Sequence, residues 1–121
     1  MTHTVLIVDD EPITRKLLRM MLTRANYQVM EASDGYEALQ AIDNQIPDAV
    51  LLDVMMPGMN GYIVCTRIRS QQKTAKLPII MLSARGDSDG IRQAMEVGAT
   101  QFMNKPITPQ DLVAQLQKVL P

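Results

Sequence analysis

The chain has 121 residues, the length of one ordinary domain, and 46% hydrophobic with 21% charged content excludes a disordered tail or a fibre. Twelve Lys and Arg against thirteen Asp and Glu leave a net charge of −1, without the basic excess a nucleic-acid-binding domain needs. A single cysteine, Cys65, excludes an intrachain disulfide and a cysteine-based zinc cluster.

No apolar run approaches the roughly 18 residues of a membrane span. Met1–Asp9 lacks the basic start of a signal peptide, so a soluble, cytoplasmic domain with no membrane partner is expected. The elements then alternate along the chain. Val5–Val8 is a continuous, partly β-branched run, the pattern of a strand buried on both faces. Pro12 sits where a first-turn proline is tolerated, and Ile13, Leu17 and Met20/Met21 follow at helical spacing. Arg15, Lys16, Arg19 and Arg24 give that helix a basic, solvated face. Gln28–Glu31 is more mixed, as suits an edge strand, and Asp34-Gly-Tyr-Glu37 has the form of a capping box before Tyr36, Leu39 and Ile42. Ala49–Leu52 is a second buried strand, followed by Ile63 and Ile68 at helical spacing, with Cys65 as a small core residue. Ile79–Leu82 is a third buried strand, and Ile91 and Met95 mark a helix that Gly98 closes in the left-handed position. Thr100–Asn104 is again mixed, and Thr108 with Pro109 opens a last helix carrying Leu112, Leu116 and Val119/Leu120.

Five βα units in succession predict an α/β fold, a parallel sheet with helices on both faces and right-handed crossovers. Met20, Met21, Met30, Met81, Met95 and Met103 are expected as core filler, while Met55, Met56 and Met59 crowd the segment after Asp53.

Ligands of an open parallel sheet bind outside the carboxyl ends of its strands, so the residues there are the place to look for a site. The first strand ends in Asp9-Asp10, the third in Asp53, the fourth in Ser83 and the fifth in Asn104-Lys105. Three carboxylates brought together need a cation to remain ionised. Oxygen-only ligands favour a hard ion, and incomplete protein coordination points to Mg²⁺. A carboxylate beside Mg²⁺ and a lysine is set to accept a phosphoryl group, and Asp53, alone on a central strand, is the best acceptor.

These residues resemble the receiver domains of two-component response regulators. The matching pieces are Val8-Asp-Asp-Glu11, Leu52-Asp-Val-Met-Met-Pro-Gly-Met-Asn-Gly61, Ser83-Ala84 and Lys105-Pro106, spread in order over residues 1–121. The resemblance implies a doubly wound, flavodoxin-like (βα)5 domain with strand order 2-1-3-4-5. It makes Asp53 the phosphoacceptor for a sensor histidine kinase or histidine phosphotransfer protein. Asp10, Asp53 and the Met55 backbone carbonyl would hold Mg²⁺, with Asp9 acting through water. Lys105 would pair with the acceptor and then the phosphoryl group, Ser83 would be the switch hydroxyl and Phe102 the switch aromatic. Lys105-Pro106 matches the family's cis bond. Ser83 stands in place of the commoner threonine and Phe102 in place of tyrosine, and Met55 and Arg85 occupy positions that flank the attacking water in the family. The output expected is a changed face on helix 4, strand 5 and helix 5, read by an output domain or partner protein. With no acid in Ala99–Gln101 and Lys118 the only basic residue of helix 5, that face lacks the charges of DNA-binding regulators that dimerise there.

Other functions fit less well. A haloacid-dehalogenase-type phosphatase needs a second acid where Met55 stands, and a flavodoxin-like cofactor binder needs a phosphate loop after strand 1. The alternative kept is a degenerate receiver acting as a phosphorylation-independent docking module. The expected activity is self-phosphorylation and autodephosphorylation, not enzymatic turnover.

Overall fold

The computed structural model describes residues 2–84 and 86–120. β1 (Thr4–Val8), α1 (Pro12–Arg24), β2 (Gln28–Ala32), α2 (Gly35–Asn44) and β3 (Ala49–Asp53) form the first half. α3 (Gly61–Arg69), a 3-10 turn (Gln72–Thr74), β4 (Ile79–Ser83), α4 (Ser88–Glu96), β5 (Gln101–Asn104) and α5 (Pro109–Val119) complete it. The strands pair in parallel in the order β2-β1-β3-β4-β5, the doubly wound arrangement expected.

Two cores follow from the alternation of side chains along each strand. Val5, Ile7, Leu51, Ile80 and Leu82 face α1 and α5, packing with Leu18, Leu22, Leu112 and Leu116. Leu6, Val8, Val50, Leu52 and Met81 face the other way, onto Ile42, Val64, Cys65, Ile68 and Ala94 from α2, α3 and α4. β3 and β4 are buried along their whole length, which explains their uninterrupted apolar runs.

Helix ends are built as their sequences suggest. Asp34 accepts from the Glu37 amide at 2.8 Å, and Glu37 reaches back to the Ser33 amide at 3.0 Å, one residue further than a strict capping box. Thr108 accepts from the Asp111 amide, and Gly98 adopts φ +100° just past α4. The Lys105–Pro106 peptide is cis.

The faces of four helices differ from expectation. On α1 the buried residues are Leu18 and Leu22, while Ile13 (76% exposed), Leu17 and Met20 face outward. On α2 Tyr36 is exposed, while Ala38 and Ile42 are buried. On α3 Ile63 points outward and Val64, Cys65 and Ile68 point in. On α4 Ile91 and Met95 are exposed, and Ala94 is the buried contact. Met20 and Met95 are therefore not core filler, whereas Met81 and Met103 are, and Met21 and Met30 are half-buried.

Candidate functional site

The site lies beyond the carboxyl ends of β1, β3 and β5. Asp9 and Asp10 follow β1 directly, and Asp53 is the last residue of β3. One carboxylate oxygen from each of the three lies within 4.8 Å of the others. Lys105, just past β5, is held to the sheet by donating its amide to the Ser83 carbonyl at 2.8 Å. Its ammonium reaches Asp9 Oδ2 at 3.0 Å and Asp53 Oδ1 at 3.1 Å.

Each acid has a different setting. Asp9 is fully buried, and both its carboxylate oxygens accept hydrogen bonds, Oδ1 from the Glu11 amide at 2.9 Å and Oδ2 from Lys105. Asp10 is the more open to solvent. Asp53 is 4% exposed; burial and then the Asp9 charge push its carboxyl from 3.8 up to about 6, against the pull of Lys105. Burial alone would lower the Lys105 ammonium, but its contacts with Asp9 and Asp53 outweigh that and raise it.

Close packing holds the acceptor's loop. Val54 donates its amide to the Leu82 carbonyl and accepts from the Gly61 amide at 2.9 Å. A side chain at Gly61 would collide with the Asp53 carbonyl oxygen and lie 2.9 Å from Val54 Cα, so only glycine lets α3 start this close to β3. Asn60 caps α3 through the Ile63 amide. Within that loop Met56 and Met59 are buried, whereas Met55 is 64% exposed at the mouth of the site.

The other residues expected at the site are close but differently placed. Ser83, buried at the end of β4, sits on the strand adjacent to Asp53. Phe102, half-buried on β5, packs into the core on the α2–α4 side. Arg85 lies outside the described residues. Arg15 is not part of a merely solvated basic face: it donates to the Asp9 carbonyl at 2.7 Å and pairs with Glu31. Tyr62, whose hydroxyl donates to the Gly90 carbonyl at 3.3 Å, links α3 to α4 beside the site. Neither contact has a local sequence signal.

With Asp53 ionised, three acids against one ammonium leave two negative charges uncompensated in a partly dry crevice. An all-oxygen donor set of that charge fits a hard divalent cation. Among the described residues, no helix is long and apolar enough to cross a membrane.

The response regulator receiver domain family matches residues 5–117. The phosphate regulon transcriptional regulatory protein PhoB of Pseudomonas aeruginosa is 41% identical over 97% of this chain and 51% of its own length. The transcriptional regulatory protein ResD of Bacillus subtilis is 41% identical over 96% of this chain and 46% of its own. The chain thus spans about half the length of these relatives. Among solved structures, the chemotaxis protein CheY4 of Vibrio cholerae superposes with a TM-score of 0.95 at 34% identity, covering 99% of this chain and 100% of that one.

Proposed function

The chain belongs to the response regulator receiver domain family, and on that premise we propose that residues 1–121 act as one phosphoacceptor module. The observation that carries this is the Lys105 ammonium set between two buried carboxylates, Asp9 and Asp53, beside a third acid. Asp53 takes the phosphoryl group from the phosphohistidine of a sensor kinase or histidine phosphotransfer protein. The donor's P–N bond breaks as an Asp53 oxygen bonds to phosphorus, and the electron pair leaves on the imidazole nitrogen. A carboxyl titrating near 6 is mostly ionised at neutral pH, and its burial leaves little water to displace before attack. Lys105 moves from carboxylate to phosphoryl oxygen without leaving the site, offsetting charge there.

Asp10, Asp53 and the Met55 backbone carbonyl would hold Mg²⁺. Asp9, whose two oxygens are already engaged, would act through water. When bound, the ion supplies charge neutralisation for the transferring oxygens. The module modifies itself and loses the phosphoryl group by hydrolysis; it does not turn over a separate substrate.

The signal leaves through Ser83 and Phe102. A phosphoryl group adds strong acceptor oxygens near the end of β4, and the Ser83 hydroxyl donates to one of them. The Phe102 ring then turns further inward, which contributes roughly 1–3 kcal/mol if fully achieved. The surface altered is that of α4, β5 and α5, where Ile91 and Met95 already stand exposed. A partner protein or an output domain reads that surface; PhoB and ResD, both about twice this length, carry the name of transcriptional regulators. With a net charge of −1 this module does not itself grip nucleic acid.

The test is to compare amide spectra of the parent and Ser83→Ala on adding beryllofluoride, a phosphoryl mimic, with Mg²⁺. The parent should shift at residues 87–104 and Ser83→Ala should not. Equal shifts would exclude this relay, and no binding at all would favour a phosphorylation-independent docking module.

A further inference from the structure

Arg15 lies one turn into α1, and its side chain, 19% exposed, meets two partners at once. Nη1 donates to the Asp9 carbonyl at 2.7 Å, while Nε lies 3.4 Å from Glu31 Oε1 on β2. Arg19 holds the other Glu31 oxygen at 2.6 Å. The Asp9 carbonyl belongs to the peptide unit that carries the Asp10 nitrogen and Cα, and that unit is planar. Whatever fixes this oxygen therefore fixes where Asp10 leaves the backbone. The Asp9 carboxylate is anchored separately, by the Glu11 amide and Lys105.

We propose that Arg15 is a positioning residue. By gripping the Asp9 carbonyl it sets the Asp9–Asp10 peptide, and so aims the Asp10 carboxylate into the acid cluster, while Glu31 and Arg19 hold the guanidinium in place. The effect on a cation rests on the reading that the cluster binds Mg²⁺. The sign of that effect separates positioning from simple charge. A guanidinium near the acids repels a cation, so on electrostatics alone its removal tightens Mg²⁺ binding. Loss of positioning weakens it, as removing the outer partners of metal ligands does.

Calorimetric titration with Mg²⁺ alone would compare the parent with Arg15→Ala, Arg15→Lys and Glu31→Ala, with amide spectra recorded before any cation is added. Arg15→Ala should lose about tenfold in affinity and should shift the cation-free amides of Asp10 and Glu11. Glu31→Ala should lose less, since the carbonyl contact survives. Arg15→Lys should fall between parent and Arg15→Ala, because an ammonium can replace one of the two contacts. Unchanged or tighter Mg²⁺ binding by Arg15→Ala, or unmoved amides at residues 9–11, would overturn the proposal. If the parent takes up no Mg²⁺, the cation reading fails, and the cation-free amide shifts still decide whether Arg15 sets Asp10. Should Arg15→Ala fail to fold, Arg15→Lys carries the comparison: it keeps the positive charge, so weaker Mg²⁺ binding with shifted amides at Asp10 and Glu11 supports positioning, and parental binding with unmoved amides overturns it.

Discussion

Replacing the acceptor carboxylate by its isosteric amide, Asp53→Asn, should stabilise the fold, and by an amount that depends on pH. In the native chain the Asp53 carboxyl titrates at about 6 instead of 3.8, chiefly because it is buried and secondly because Asp9 repels its charge. Between those values the native chain keeps a proton that the unfolded chain has released, so stability falls as pH rises through that window. About two pKa units at about 1.4 kcal/mol each give ~3 kcal/mol of stability lost by neutral pH. The amide of Asp53→Asn carries no charge and escapes this loss, though it must still find hydrogen-bond partners, so a gain of about 1–3 kcal/mol is expected at neutral pH. At ~4 °C per kcal/mol for a domain of this size, Tm should rise by roughly 4–12 °C. Urea unfolding in the presence of chelator, at neutral pH and at about pH 4, would measure it, and by pH 4 the gain should fall below ~1 kcal/mol. Adding Mg²⁺ should narrow the neutral-pH difference by stabilising the parent selectively. Equal stabilities at neutral pH, or a gain that persists undiminished in acid, would refute the argument that burial and charge repulsion strain this carboxylate.

Further outcomes follow from neighbouring contacts. Gly61→Ala places a Cβ against backbone of Asp53 and Val54 that cannot swing aside; urea melts should show a loss of about 1–3 kcal/mol, with weaker phosphoryl labelling. Lys105→Met removes the ammonium that opposes the raised carboxyl, so carbon-detected titration should place Asp53 higher than about 6. Asp10→Asn should abolish measurable Mg²⁺ uptake in calorimetry, whereas Asp9→Asn, at a residue whose oxygens are already held by Glu11 and Lys105, should only weaken it.

Topology and the rim of the site were legible because each has a local signal. Val5–Val8, Ala49–Leu52 and Ile79–Leu82 are apolar without interruption, which only strands covered on both faces require. The strand-end positions of Asp9, Asp10, Asp53 and Lys105 then bring these residues to one edge. Helix orientation was not legible. α1 carries two adjacent apolar stripes, one through Ile13, Leu17 and Met20 and the other through Leu18 and Leu22, and helical period fits both. On α4 the buried residue is the small Ala94, which apolar periodicity underweights beside Ile91 and Met95. The contacts of Arg15 with Asp9 and Glu31 were hidden for another reason. They join α1 to β2 and to the loop after β1, and a basic residue on a helix looks the same in sequence whether it meets water or a carbonyl. Arg69 is a similar case: from α3 it donates to the carbonyls of Gly98 and Thr74, distant in sequence from any motif.

Whether Asp53 itself carries the phosphoryl group can be tested chemically at the residue. The parent would be incubated with acetyl phosphate and Mg²⁺, the acyl phosphate reduced with borohydride, and the resulting homoserine located by peptide mass spectrometry. Reduction is expected at Asp53 alone, dependent on Mg²⁺ and absent from Asp53→Asn. Reduction at Asp9 or Asp10, or label that survives at full rate in Asp53→Asn, would contradict it.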